Sequence, residues 1–282
     1  MKPAFLIIVL FLITQFLGLY VGTRYLQAIE IGIASPALEN PESIQTSLYL
    51  FGYIIVTTIG ILFLIRFKRS AIRFLEAFVI FTASWLTFDL ILPLEVWYFS
   101  LGFFLALALT AWKMFRPNIL NQDIAAIVSG AGVGALLGAS LGVLPAVVFM
   151  LILSVYDFVS VFITKHMVSM AKALTERPTA FTVAAPPNFK SLTYSNAKKT
   201  RRNVKKVHVF QLGVGDMVIP LMFSVSVLNK FSIINSLAAI VGATLALLGL
   251  IYFMSKKPRP LPALPFITFG AFAGFLLSFL IL

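Results

Sequence analysis

Nine long apolar stretches follow one another along the chain, and they constrain its fold more than any other feature. A bilayer core of about 30 Å is crossed by about 20 helical residues, and apolar runs of that length mark transmembrane helices. The composition agrees, because 60% of the 282 residues are hydrophobic and only 11% are charged, unlike a soluble domain. The sequence therefore predicts an all-α membrane protein with nine transmembrane helices. The predicted spans are residues 4–23, 47–65, 71–92, 97–114, 122–143, 145–164, 209–228, 233–254 and 261–281.

One long polar loop divides the chain into three segments. Helices one to six occupy residues 1–164, the loop residues 165–208, and helices seven to nine residues 209–282. The loop contains two adjacent prolines and the basic run KKTRRNVKK, so it is predicted to be flexible and cytoplasmic, either solvated or touching anionic lipid headgroups. The first apolar stretch is as long as a full span and lacks a small-residue cleavage site, so it is predicted to be a retained helix.

Basic residues are distributed very unevenly between the two sides of these spans. All of the 22 Lys and Arg residues except Arg24 and Lys230 lie on one side, in loops or near the ends of spans. The positive-inside rule then places the N-terminus in the cytoplasm and the C-terminus outside. The net charge of +12 is accounted for by topology, so no nucleic-acid partner is expected.

Asp157 and Asp216 are the two acidic residues that lie deep inside apolar spans. A carboxylate at such a depth costs a few kcal/mol or more, and it is a functional hypothesis by default. Each lies about seven residues from the cytoplasmic end of its predicted span, about 10 Å below the interface at the helical rise. Because the sixth and seventh spans are consecutive and antiparallel, the two side chains are predicted at one level, where they can face each other.

Two facing carboxylates have a definite chemistry. Like charges in a low-dielectric site do not both ionise easily, so the pair shares one proton. One carboxylate then accepts a proton from water while the other protonates a carbonyl oxygen, which hydrolyses an amide without a metal or a covalent intermediate. Competing routes are absent from the sequence: it has no Cys and no H-E-x-x-H motif, and Ser140 and Ser154 have no His or Lys partner within a span. No cofactor and no metal are expected.

Two functions from other classes remain open at this point. A cation or proton channel or transporter would also place aspartates inside the membrane, to bind ions. Such a transporter is expected to contain internal repeats, and the two halves of the chain show no convincing similarity. A noncatalytic scaffold is the third alternative, and it does not explain two costly carboxylates at equal depth.

The surroundings of these aspartates also depart from regular helix. Gly213 and Gly215 reduce the bulk beside Asp216, so that another backbone can approach. Pro220 removes the hydrogen bond to the Asp216 carbonyl and disturbs the helix there. The ninth span opens with a dense group of prolines that prevent a regular helix: Pro258, Pro260, Pro262 and Pro265.

Small residues and the remaining acids suggest structural roles. The fifth span carries a glycine at every fourth position, a pattern that lets two helices approach closely: Gly130, Gly134, Gly138 and Gly142. Glu76 and Asp123 lie near cytoplasmic helix ends, with Glu76 one turn from Arg73, and Asp89 lies near an outer end. For these three acids an interfacial or paired structural role is predicted.

Three motifs in order carry a family resemblance. They are Tyr156-Asp157 in the sixth span, Gly213-Val214-Gly215-Asp216 in the seventh, and Pro262-Ala263-Leu264 at the start of the ninth. Together they resemble the signature of the presenilin and signal peptide peptidase family, and the chain looks like a compact microbial presenilin homologue. A lone GxGD also occurs in prepilin peptidases, whereas the three motifs over nine spans are far more specific. SVYDFVSVF and PALPFITFG resemble the presenilin versions, and GVGDMVIP is closer to the peptidase branch.

The resemblance implies an intramembrane aspartic endopeptidase in which Asp157 and Asp216 carry catalysis. Tyr156, Gly213 and Gly215 would shape the site. Pro262, Ala263 and Leu264 would shape it and contact the substrate. Substrates would be transmembrane helices of other proteins, which must unwind before water can attack them. The enzyme would be an integral multi-pass protein of the cell membrane if the source is microbial. A homo-oligomer is an open possibility, and the small size fits an enzyme without partner subunits.

Overall fold

The fold is known from a computed structural model of the chain. It describes residues 2–38, 40–67, 69–96, 99–116, 118–162, 182–185, 210–256 and 261–281. Most of the predicted loop 165–208, with its basic run, lies outside these residues, as do His166, His208, Pro258 and Pro260.

The described residues form nine helices, and each coincides with one predicted span. This confirms the all-α membrane fold. In chain order they are α1 Lys2–Glu30, α2 Ile44–Phe67, α3 Arg69–Ile91, α4 Leu101–Phe115, α5 Ile119–Ser140, α6 Val143–Phe162, α7 Gly215–Lys230, α8 Ile233–Lys256 and α9 Leu264–Ile281.

Five of the helical segments are long and apolar enough to cross a membrane. They are Ala4–Glu30, Arg73–Ile91, Ile119–Ser140, Val143–Phe162 and Ile233–Lys256. Three shorter apolar helical segments accompany them within the described residues, at Ile44–Gly60, Leu101–Phe115 and Leu264–Leu280. The protein is therefore an integral multi-pass membrane protein.

The seventh helix begins later than the sequence predicts. The predicted span starts at residue 209, but Phe210–Gly213 form a strand, β4, and the helix starts at Gly215. Strand β4 pairs antiparallel with β3, Thr182–Ala185, and Thr182 lies opposite Gly213. The partner strand comes from inside the predicted loop, so a local hydropathy window has no means of finding the pairing. Asp216 consequently lies in the first helical turn and not two turns along the helix.

A second short hairpin connects α3 and α4. Its strands are β1, Glu95–Val96, and β2, Phe99–Ser100. The fourth helix was predicted from residue 97, and it begins at Leu101 because Ser100 caps it: the Phe103 N–H donates to Ser100 Oγ over 3.2 Å. A serine in this position satisfies an otherwise unpaired helical N–H and fixes where the helix starts.

Helix α7 is the centre of the bundle. All its residues from Met217 to Val227 are buried. It packs against α1, α5, α6, α8 and α9. A helix that is apolar all round needs neighbours on every side, and this arrangement explains why α7 has no lipid-facing stripe. Helix α2 is peripheral by contrast: it packs on α3 and α6, and most of its side chains between Gly52 and Gly60 are exposed.

The glycine stripe of α5 is the surface on which α7 packs. A Cβ at Gly138 would overlap the Met222 carbonyl oxygen, and one at Gly134 would lie 2.6 Å from Leu221 Cδ2. Only glycine therefore permits this separation. The predicted close approach is confirmed for Gly130, Gly134 and Gly138, whereas Gly142 lies beyond the end of α5 and faces Glu42.

Two ion pairs link segments of the bundle, one between helices and one between a helix and a loop. Glu76 on α3 forms a buried salt bridge with Lys113 on α4, so its basic partner is on the next helix. The prediction of a paired structural role for Glu76 is confirmed. Lys230 at the end of α7 lies 3.7 Å from Glu42, and both side chains are exposed.

Candidate active site

Asp157 lies on the buried face of α6, opposite the start of α9. Its side chain is 4% exposed. The backbone N–H of Leu264 donates to Asp157 Oδ2 over 3.3 Å, and a second backbone hydrogen bond comes from Ala263. Because Leu264 is the first residue of α9, its N–H has no partner within the helix and is available to an outside acceptor. The N-terminus of α9 therefore holds the Asp157 carboxylate.

Asp216 lies in the first turn of α7 and is half-buried. Its carboxylate accepts a backbone hydrogen bond from Gly213. The unpaired N–H groups and the dipole at a helix N-terminus stabilise a negative charge. The hydrogen bond to Asp216 thus comes from the last residue of β4, two residues before α7 begins.

The structure brings these two carboxyl groups together. Asp157 and Asp216 lie close enough for a Coulombic repulsion between them. They belong to neighbouring helices, since α6 packs directly against α7. Two acids, Asp157 supported by N–H groups at the start of α9 and Asp216 by the N–H of Gly213 in β4, therefore share one partly enclosed site.

The two glycines of the GxGD sequence have different surroundings. A Cβ at Gly213 would lie 3.2 Å from Asp216 Oδ2, so this glycine lets the strand approach the carboxylate. A Cβ at Gly215 would meet no atom of the described residues within 4 Å. Within the described part of the chain, the space beside Gly215 is therefore open, one residue from Asp216.

The remaining predicted site residues surround the aspartates at different distances. Pro262 and Leu264 are buried, and the Leu264 side chain belongs to the main apolar core. Leu264 therefore reaches Asp157 through its backbone. The Tyr156 ring packs edge-on against Phe51 of α2, with ring centroids 6.1 Å apart. Tyr156 thus joins α6 to α2 on the face away from α9.

A groove of about 230 Å³ opens between α6 and α9 beside the site. Its lining is apolar apart from two hydroxyl groups: Ser154 Oγ donates to Thr268 Oγ1 over 2.9 Å. Ser154 lies one helical turn before Asp157, so the groove ends about one turn from the residue that carries that carboxylate.

Three polar side chains near the site were not predicted from the sequence. Gln15 of α1 is fully buried and donates from Nε2 to the Met217 carbonyl oxygen over 2.8 Å, next to Asp216. Gln122 and Asp123 of α5 bind strand β3. An amide inside an apolar span is a detectable signal, because polar side chains in membrane helices bind neighbouring helices.

The fold and this site define a class: a membrane-embedded helical bundle with two acidic side chains brought together among buried helices. The family model for the signal-peptide peptidase and presenilin aspartyl proteases matches residues 8–282. The chain belongs to this family and is an intramembrane aspartic protease.

Solved structures of similar proteins agree with this assignment. The chain resembles a presenilin family intramembrane aspartate protease solved in space group P2, with a TM-score of 0.70, 25% identity, and coverage of 98% of this chain and 96% of the other. The structure of a presenilin family intramembrane aspartate protease in space group C222 gives a TM-score of 0.65, 23% identity, and coverage of 96% and 94%. No curated protein sequence matches the chain.

Proposed function

We propose that the protein hydrolyses peptide bonds within transmembrane helices of other membrane proteins, with Asp157 and Asp216 as a catalytic pair that activates water. One observation carries the proposal: two carboxyl groups from neighbouring helices lie within range of each other's charge, inside an apolar bundle. The cost of placing two acids there is explained by a reaction that uses both.

The reaction needs one of the two acids protonated and the other ionised. The ionised carboxylate takes a proton from water as the oxygen attacks the peptide carbon, and the protonated acid gives its proton to the carbonyl oxygen. The tetrahedral intermediate then collapses: the C–N bond breaks, the nitrogen accepts a proton, and a carboxyl group and an amine are released. Asp157 accepts hydrogen bonds from N–H groups at the start of α9, and Asp216 accepts one from the N–H of Gly213. These bonds support stable positions for both carboxyl groups during this cycle.

The substrate helix must unwind before this attack, because its peptide groups are hydrogen-bonded within the helix. The open space beside Gly215 supports entry of an extended backbone at this point. Such a backbone gains hydrogen bonds by adding to a strand edge, and β4 ends at Gly213 next to Asp216. We therefore place the unwound segment along β4, close to the Pro262-Ala263-Leu264 turn.

The test is cleavage by purified protein in lipid or detergent. A transmembrane-helix peptide should be cut by the parent protein, while Asp157→Asn and Asp216→Asn should each lose cleavage and keep their thermal unfolding midpoints. These variants keep the size and hydrogen-bonding oxygen of the side chain and remove its titrating proton. Retained cleavage by either variant would refute the pair.

The same variants separate the protease from the channel or transporter. An ion flux across vesicles that is abolished in both variants, without any peptide cleavage by the parent, would favour that alternative. The orientation proposed from the charge distribution, with a cytoplasmic N-terminus, places the two aspartates nearer the cytoplasmic side.

A further inference from the structure

Two adjacent side chains at the start of α5 bind a strand and not their own helix. Gln122 and Asp123 are 3% and 4% exposed. Gln122 Nε2 donates to the Thr182 carbonyl oxygen over 2.5 Å and to Thr182 Oγ1 over 3.2 Å. The Ala184 N–H donates to Asp123 Oδ1 over 2.9 Å. Both contacts therefore reach the main chain of β3.

These contacts lie on the edge of β3 that faces away from β4. Neighbouring residues in an antiparallel strand direct their N–H and C=O groups to opposite edges. Since Thr182 and Ala184 direct theirs to α5, Val183 and Ala185 direct theirs to β4, opposite Leu212 and Phe210. Strand β3 is thus held on both edges, by β4 on one and by α5 side chains on the other.

Helix capping does not explain why Asp123 is buried here. The residue before α5 is Asn118, and the Gln122 N–H already donates to the Asn118 carbonyl oxygen within the helix. Asp123 comes one residue later, beyond the first turn that carries unpaired N–H groups. Among the described residues, the hydrogen bond of the Asp123 carboxylate is the one from Ala184.

The β3 strand connects this contact to the candidate catalytic carboxylate. Thr182, which Gln122 holds, lies opposite Gly213 in the sheet. Gly213 in turn lies against the Asp216 carboxylate and gives it a backbone hydrogen bond. A displacement of β3 would therefore pass through the sheet to the N–H group that holds Asp216.

The geometry points to Gln122 and Asp123 as positioning residues that clamp the β3–β4 sheet and thereby fix Gly213 against Asp216. This role rests on the proposed function of Asp216. It assigns the two side chains neither proton transfer nor substrate contact, because they act through the strands.

Substitutions can remove each contact while preserving side-chain size. Gln122→Met and Asp123→Leu remove the donor and the acceptor, whereas Asp123→Asn keeps an acceptor oxygen and removes the charge. A displacement of about 1 Å at a catalytic group costs about 100-fold in rate, so we expect kcat to fall by about 10-fold to 100-fold in the first two variants, with KM nearly unchanged. Asp123→Asn should restore most of kcat. Ser129→Ala is the matched control, since it removes a buried hydrogen bond within α5, to Ala125, that does not involve β3.

A second measurement tests whether Gln122 and Asp123 hold β3, and it does not depend on peptide cleavage. The chain has no cysteine, so Val183→Cys, at a position that is 1% exposed on β3, gives a single reporter for a water-soluble maleimide. We expect slow labelling in the otherwise unchanged protein and in Ser129→Ala. Labelling should be about 10-fold faster or more with Gln122→Met or Asp123→Leu, because an opening that loses about 1.4 kcal/mol of stabilisation becomes tenfold more populated.

The outcomes are distinguishable. Equal labelling rates in all variants would overturn the clamp, and so would faster labelling with an unchanged kcat in the Gln122→Met/Asp123→Leu double variant. A parent protein that cuts no peptide would contradict the proposed function, while its labelling rates would still decide whether α5 holds β3. Thermal unfolding in detergent identifies a variant that has failed to fold. If Asp123→Leu fails to fold, the labelling rate and kcat of Asp123→Asn, which keeps the acceptor oxygen, are compared with those of the parent.

Discussion

The backbone N–H of Leu264, the first residue of α9, donates to Oδ2 of Asp157 on α6 over 3.3 Å. This bond gives the Pro-Ala-Leu motif a physical role. The motif places the start of α9 against a buried carboxylate, and the side chain of Leu264 anchors that start in the core. Asp216 instead accepts its backbone hydrogen bond from Gly213, the last residue of β4, and lies in the first turn of α7. Asp157 is thus held by a helix N-terminus and Asp216 by the end of a strand.

Comparison of Leu264→Pro with Leu264→Met tests the backbone hydrogen bond from Leu264 to Asp157. Proline is well tolerated at the first position of a helix. The substitution removes the backbone N–H that donates to the Asp157 carboxylate. A hydrogen bond to a charged group is worth about 1.5–3 kcal/mol, so kcat should fall by about 10-fold to 100-fold. Leu264→Met keeps the N–H and a similar side-chain volume, and should retain most activity. Equal kcat values for the two variants would contradict the role given to this bond.

Gly213→Ala and Gly215→Ala should have opposite kinetic signatures. The added methyl at residue 213 lies 3.2 Å from Asp216 Oδ2 and should push the carboxylate aside, lowering kcat by about 10-fold or more. The methyl at residue 215 meets no atom of the described residues within 4 Å. It should leave the unfolding midpoint unchanged and raise KM, because it occupies space proposed for the substrate. An unchanged KM for Gly215→Ala would argue against entry at that point.

Gly138→Ala should destabilise the protein without touching the aspartates. Its Cβ would overlap the Met222 carbonyl oxygen, and overpacking of this kind costs about 1–3 kcal/mol. Gly249→Ala in α8 is the matched control, since its Cβ meets nothing within 4 Å. Alanine there should stabilise the helix by up to about 1 kcal/mol. Thermal unfolding of the two variants should show a lowered midpoint for Gly138→Ala and a raised midpoint for Gly249→Ala.

Lys113→Met should lower stability strongly, because it removes the cation from the buried salt bridge with Glu76. Breaking a buried pair from one side costs about 3–5 kcal/mol. The double variant Glu76→Gln/Lys113→Met should recover part of the loss. Lys256→Met, which removes a cation 4.5 Å above the Tyr252 ring at an exposed position, serves as the control and should change the free energy of unfolding by less than about 1 kcal/mol.

The proposed orientation can be measured with single cysteines, since the natural chain has none. Lys230 precedes the start of α8 by three residues, and Lys256 is the last residue of α8. Lys230→Cys and Lys256→Cys therefore place one cysteine near each end of this helix. A membrane-impermeant maleimide added outside intact cells should label the first and not the second. The reverse pattern would place the N-terminus outside.

The sequence predicted the helices well because hydropathy is a local property. Each span is long and apolar whatever its neighbours are, and the α5 glycine repeat marks a close helix contact by its period alone. The start of α7 was misplaced because Phe210–Gly213 are also apolar enough to continue a helix. Their strand conformation depends on Thr182–Ala185, which are separated from them by a segment longer than any local window.

The two acids of the candidate site could be predicted from the sequence, whereas most of the groups that contact them could not. Two carboxylates in apolar spans stand out energetically, and their mutual proximity follows from consecutive antiparallel helices. That Leu264 acts through its backbone, and that Tyr156 packs on Phe51, are facts of three-dimensional packing that no spacing encodes. Asp123 appeared to be an ordinary acid near a helix end, since its partner Ala184 is remote in sequence.

The contact between the α5 glycines and α7 has a mechanical consequence. Where Gly138 meets the Met222 carbonyl, backbone rests on backbone, and no side-chain rotation can absorb sliding between the two helices. We therefore expect these two helices to move together, and α7 carries Asp216. Helices α6 and α9 meet across a groove and through the Ser154–Thr268 hydroxyl pair. We expect changes in the distance between the two aspartates to come mainly from movement of α6, which carries Asp157.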